Sequence, residues 1–99
     1  MARFDVYARP GDAGYVLDVQ ADVLSRLNTR IVVPLLPLAE APEPAKRLNP
    51  VFKVGSEPHV MVTQFLAAVP RSLLRSPVTN LAEQDSAIMA ALDMVLVGF

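Results

Sequence analysis

Proline placement limits what this chain can fold into more than any other feature. Its nine prolines all lie between Pro10 and Pro77, and a proline inside a helix removes a hydrogen bond and clashes with the preceding turn. The clearest helix is therefore C-terminal, over residues 81–97, which neither proline nor glycine interrupts. Asn80 stands where an N-cap would, with Glu83 three residues on, where a capping box places its acid. Ile88, Leu92, Val95 and Phe99 share one face, and Ala87, Ala91 and Met94 lie beside it. The last turns are apolar almost all round, which calls for burial or a partner.

Ahead of that helix the periodicity is that of strands. Arg3 to Ala8 alternates polar and apolar residues. Pro10-Gly11-Asp12-Ala13-Gly14 is turn chemistry, and Tyr15 to Val19 follows as the second arm of a hairpin. Ser25 to Thr29 reads as a connection. Arg30 to Leu36 is nearly continuous in apolar residues, as a strand covered on both faces would be. Pro34 within it marks an edge, a bend or a bulge. Pro37 to Pro50, with four prolines and several charges, reads as a surface excursion. Val51 to Val54 and His59 to Phe65 flank Gly55-Ser56-Glu57-Pro58 as a second hairpin, while Ala67 to Ser76 fits no single element. Antiparallel strands followed by one terminal helix give an α+β domain, with a bent, barrel-like sheet or an open one both compatible with the pattern.

The chain, residues 1–99, is the length of one domain. Hydrophobic residues make up 53% and charged residues 19%, more apolar surface than one small core readily hides, so a homodimer is expected. Cysteine is absent, which rules out disulfides and thiolate metal sites and suits a reducing cytoplasm. No basic-then-apolar leader is seen, and Ile88 to Val97 is too short to span a membrane. The net charge of −1, with nine basic and ten acidic residues spread along the chain, argues against a nucleic-acid ligand, short of a local basic patch built by the fold.

Catalytic patterns are missing as well. The single histidine, His59, precedes Val60-Met61-Val62 and reads as an exposed or strand-end residue without partners at metal-ligand spacing. No serine sits in a nucleophile elbow, and the four glycines are too scattered for a phosphate loop. Asp18 and Asp22 read as a solvated face and a turn acceptor. Asp93 is the only polar residue from Ile88 to Val97. Near a helix C-terminus it opposes the dipole, so it is either the one wet stripe of the helix or a carboxylate kept for recognition. On these residues a binding protein is favoured over an enzyme, with no cofactor.

Several segments in register resemble the CcdB-type toxins of bacterial toxin–antitoxin pairs. Phe4-Asp5-Val6-Tyr7 is similar to the family's first strand, and Asp18-Val19-Gln20-Ala21-Asp22 to its D-V-Q-S-D segment. Arg30-Ile31-Val32-Val33-Pro34-Leu35 resembles its R-(hydrophobic)-V-I-P-L strand. Pro50-Val51, Val54-Gly55 and Ala67-Ala68-Val69-Pro70 follow at the family's spacing, with Met61 and Thr63 on its next strand. The chain closes, as the family does, on an apolar residue, a glycine and a bulky hydrophobe.

The resemblance implies an SH3-like barrel of antiparallel strands with a small extra sheet and a C-terminal helix, a fold shared with the MazF and Kid ribonuclease toxins. It implies a cytoplasmic homodimer that binds the DNA gyrase A subunit and poisons gyrase without catalysing a reaction itself. It also implies a CcdA-like antitoxin that folds on the toxin, and a complex that can repress its own operon. DNA would then be met only through gyrase or the antitoxin complex. Residue by residue, the gyrase-binding positions fall on Ala21, Val23, Asp93, Val97, Gly98 and Phe99, with Leu24 beside them. The chain departs at three of these from the family's best-known member, which has tryptophan, asparagine and isoleucine where this chain has Val97, Asp93 and Phe99. Two alternatives are a MazF/Kid-like endoribonuclease using Arg30, Arg71 or Arg75, and a homologue that binds antitoxin without toxicity.

Overall fold

A computed structural model describes residues 1–99. Seven strands run in chain order: β1 (Asp5–Ala8), β2 (Tyr15–Asp18), β3 (Thr29–Pro37), β4 (Val51–Val54), β5 (Glu57–Met61), β6 (Ala67–Pro70) and β7 (Thr79–Asn80). A single α-helix, α1 (Asp85–Leu96), ends the chain. All pairings are antiparallel. The order is β4-β5-β3-β2-β1-β7, with β6 also on β3. The strands β7, β1, β2, β3 and β6 curl into a nearly closed barrel, and the β4–β5 hairpin extends from the second half of β3 as the small extra sheet.

β3 organises this arrangement, and Pro34 explains how. On one side β3 pairs with β2 over Val32–Leu35. On the other it pairs with β6 over Thr29–Val32 and with β5 over Leu35–Pro37. Pro34 lies in the gap between the two. Its carbonyl accepts from Val62 N at 3.0 Å. In a strand a residue's nitrogen and carbonyl point the same way, so the missing N–H faces the hand-over and costs the β2 ladder nothing.

Alternation along the strands separates two apolar groups. Val6, Leu17, Val33 and Leu35 belong to a large core with Phe4, Val19, Phe52, Met61 and the helix residues Ile88, Ala91 and Leu92. Tyr7, Val16 and Val32, of opposite parity, pack with Leu74 and the half-buried Val69. Burying one such side chain stabilises by roughly 1.5–3 kcal/mol, so both faces of β1–β3 are held. That accounts for the unbroken apolar run in β3.

The helix begins later than the sequence predicts. Asn80 ends β7 instead of capping a helix, and its Oδ1 accepts from Ala82 N at 2.8 Å. Residues 82–84 form a 3₁₀ turn that leads into Asp85, and no side-chain cap bonds α1. Pairing of Asp5 with Asn80 and Val6 with Thr79 takes these residues for the sheet. Ala67 to Ser76, ambiguous by pattern, becomes β6 and a 3₁₀ turn over Arg71–Leu73. The proline-rich excursion is pinned by buried Asn49, whose Nδ2 donates to Met61 O and Gln64 Oε1 at 3.1 and 2.8 Å.

Candidate functional site

The segment Asp18–Asp22 works as a frame for the loop that follows it. Asp18 is fully buried, which corrects its expected place on a solvated face. Arg30, equally buried, donates from Nε to Asp18 Oδ2 at 2.8 Å, with Nη2 2.6 Å from the same oxygen. That second approach is off the line of a good hydrogen bond, and Nη1 has no protein partner. Burial raises the Asp18 carboxyl above its ordinary value, against the opposing effect of bonds from Arg30 and the Gln20 N–H. Gln20, also buried, donates from Nε2 to Leu24 O at 2.9 Å and accepts from Ile31 N at 3.1 Å. The 3₁₀ turn Asp22–Leu24 is thereby tied to β3 and held outward.

Arg3 joins this loop to the helix. Its backbone N–H donates to Asp22 Oδ1 at 2.8 Å, so Asp22 accepts from a residue distant in sequence and not within its own turn. Its Nε donates to Val19 O at 3.2 Å, and Nη2 lies 3.3 Å from Met89 Sδ on α1. Its guanidinium also sits 4.9 Å from the centroid of the Phe4 ring, a cation–π contact. Phe4 adopts φ +71°, a left-handed backbone for a bulky residue that costs of order 1–3 kcal/mol. It is held there because Phe4 N donates to Asp18 O and Leu81 N donates to Phe4 O, at 2.7 and 2.9 Å. Backbone strain thus lies directly beside the candidate surface.

From Met89 the helix carries Asp93 and Val97 up the same face, each about 6 Å further along the axis. Asp93 is exposed. Val97 N and Gly98 N close the helix end on the Asp93 carbonyl at 2.8 and 3.0 Å, and Gly98 N also bonds Met94 O at 3.1 Å. Gly98 takes φ +95°, the backbone that commonly ends a helix. Leu96, Val97 and Phe99 stand 60–74% exposed. Ala21 is half-buried, whereas Val23 is 88% exposed and Leu24 exposed. No hydrogen bond joins loop to tail; Arg3 ties the loop to α1 only at Met89. Sequence reasoning missed Arg3 and Gln20, whose roles depend on contacts across the fold.

Two further expectations are corrected here. His59 is buried within β5, its ring edge-on to Tyr15 at 5.1 Å and its Nδ1 3.0 Å from Glu57 O. It is neither exposed nor at a strand end, because pairing extends β5 back to Glu57. Arg30, considered above for RNA chemistry, is enclosed and bound to Asp18. No cluster of three or more histidine, aspartate or glutamate side chains converges as a metal site, and no helix is long and apolar enough to cross a membrane.

Tyr7 shares the buried polar interior, its hydroxyl 3.4 Å from Asp5 Oδ2. Burial, then the charges of Asp5 and Asp18, push its hydroxyl up to about 12 from 10.0. A raised value means the neutral form stabilises the fold below pH 10.0, and that contribution is lost as pH climbs toward 12. The shift corresponds to roughly 2–3 kcal/mol. Tyr7→Phe should therefore flatten the fall in urea midpoint across that alkaline window. An unchanged slope would mean that another group drives alkaline unfolding.

The CcdB protein family profile matches residues 3–98. The chain belongs to the CcdB family. That match takes in both Arg3 and the tail through Gly98. A solved mycobacterial structure, an endoribonuclease in complex with its cognate antitoxin, has the same fold, with a TM-score of 0.77 at 15% identity. The superposition covers 97% of this chain and 94% of the other. As a CcdB-family protein the chain is a toxin of toxin–antitoxin type.

Proposed function

We propose that this chain binds the A subunit of DNA gyrase through the surface formed by Ala21, Val23, Leu24, Asp93, Val97, Gly98 and Phe99, and poisons gyrase. The observation that carries the reading is the helix end. Leu96, Val97 and Phe99 are large, apolar and exposed beside Asp93. No lysine or arginine follows Arg75, whereas Glu83, Asp85 and Asp93 do. Such a surface, apolar and acidic, suits a partner that offers an arginine within an apolar surround. A CcdA-like antitoxin would neutralise the toxin, and the solved relative in complex with its own antitoxin supports that kind of partner.

The test is direct. Purified protein should leave RNA and DNA intact, and DNA cleavage should appear only when gyrase is added. Induced expression should kill cells carrying wild-type gyrase A subunit and spare cells whose subunit is altered at the contact. Equal killing of both would remove gyrase as the target.

A ribonuclease reading has one point in its favour, the fold shared with the endoribonuclease. Against it, Arg30 is enclosed, His59 is buried, and the cleft beside Arg75 has no acid in its lining to take a proton. RNA cleavage abolished by Arg75→Ala would establish it nonetheless. A homologue that binds antitoxin without toxicity would show neither activity.

The proposed assembly is a homodimer. Twelve large hydrophobic residues are exposed in the isolated chain, and a twofold interface would take part of that surface from water. Sedimentation at micromolar concentration should give about twice the 10.7 kDa chain mass. A persistent monomer would deny gyrase, itself twofold, a symmetric partner.

A further inference from the structure

β2 and β5 pair with opposite edges of β3, and the ends of their two hairpins line one cleft of 560 Å³. Ala13 and Gly14 stand on one side of it, Gly55 and Ser56 on the other, with Pro37 of β3 between them. Gly14 sets how close the sides come. Its φ is +93°, and a Cβ there would lie 2.6 Å from Leu35 O, so only glycine brings the β1–β2 loop this near to β3.

The polar lining offers acceptors. His59 is only 5% exposed, and its ring stands edge-on to Tyr15. Glu57 O, a carbonyl, can only accept, so His59 Nδ1 carries the proton of their 3.0 Å bond. In the neutral ring that leaves the lone pair on Nε2. Nε2 has no protein partner, and the enclosed, unpartnered side-chain nitrogens belong to Arg30 alone, so Nε2 opens into the cleft that His59 lines. The exposed Glu57 is the one formal charge of the lining, which holds no lysine or arginine. Ser56 and Tyr15 add hydroxyl-bearing side chains.

We infer that this cleft binds a free aliphatic amine, whose ammonium donates to His59 Nε2 and the Glu57 carboxylate while its carbon chain lies against Tyr15 and Pro37. A nearly buried acceptor without a donor is costly to leave unmade, and a carboxylate beside it makes the bond charge-assisted. An aromatic ring also favours a cation. The volume falls within the roughly 300–1,000 Å³ of small-molecule sites. A metal ion is the poorer fit, since it asks for three or four protein ligands and no such cluster converges here. The inference stands apart from the gyrase reading, because no residue of the cleft belongs to that surface.

The test titrates the full ¹⁵N-labelled chain with butylamine at fixed pH and ionic strength. 1-Butanol, sodium butyrate and the peptide Gly-Gly-Lys-Gly-Gly are run in parallel. In the free protein the neutral His59 ring should carry its proton on Nδ1. Butylamine should shift the Nε2 resonance and the amides of Gly14 and Ser56 to saturation, and less tightly as salt is raised. Butanol and butyrate should leave them in place. Glu57→Gln should weaken binding about tenfold or more, and Ser56→Arg, which brings a cation to the cleft, should block it. Glu83→Gln should leave it unchanged, and all three variants should keep the parental thermal midpoint. A proton on Nε2 in the free protein, equal shifts with butanol, or parental affinity in Glu57→Gln would overturn the inference. So would tighter binding of the peptide, which would reassign the cleft to a protein's lysine.

Discussion

Removing Val97 to Phe99 should abolish gyrase binding while moving the thermal midpoint by no more than a few degrees. The structural reason is that these residues contribute little to either core, since Val97, Gly98 and Phe99 are all exposed. What they supply to the fold is the helix stop, the bonds from Val97 N and Gly98 N to the Asp93 and Met94 carbonyls. Losing that stop frays the last turn, an effect of roughly 1 kcal/mol. What they would supply to a partner is larger, because buried apolar anchors dominate interface energies. Placing an aromatic at the helix end, Val97→Trp, should strengthen gyrase binding, by up to ~2 kcal/mol if the ring stacks on a desolvated cation. Calorimetric titration with the gyrase A subunit, beside thermal melts, reads both quantities. If the truncated chain fails to fold, the tail is structural and the assignment of the surface is wrong.

The second large effect lies inside the fold. Asp18→Ala should destabilise the chain by about 3–5 kcal/mol, because Arg30 is left charged and without a counterion in the interior. For a domain of this size that corresponds to a fall in midpoint of roughly 12 °C or more. Arg30→Met alone should cost a similar amount, and the double variant Asp18→Leu/Arg30→Met markedly less than the sum of the two. Additive single variants in urea melts would show that the two groups do not act as a pair.

The sequence and the structure agree where local pattern and tertiary need coincide. The β1–β2 and β4–β5 hairpins, the covered strand β3 and the C-terminal helix all followed from periodicity and turn residues. So did an α+β class, and the resemblance narrowed it to a barrel. The disagreements have one cause, contacts between residues distant in sequence. Asp18 looks solvated until Arg30 is brought against it, and His59 looks terminal until Val51–Val54 extends its strand. Asn80 carries the signature of an N-cap, but β1 recruits it for the sheet first. At the candidate surface the exposed apolar tail was legible as a run of hydrophobes ending in Gly98 and Phe99. The strained Phe4 and the bridging Arg3 were not, since no spacing rule links residue 3 to residue 89.

The last strand of the barrel also sets an order of events. The β1–β2, β2–β3 and β4–β5 links join neighbours along the chain, whereas β7 meets β1 across 75 residues, seen in the Asn80–Asp5 side-chain bond. Contacts of such separation carry the greatest loop-closure entropy and slow folding most. That same closure docks α1, and Leu81 N on Phe4 O fixes the backbone next to Arg3. A copy in which β7 has not yet met β1 would hold the loop and the helix end of the proposed surface without the Phe4–Arg3 frame between them, so assembly of that surface would wait on the slowest contact of the fold.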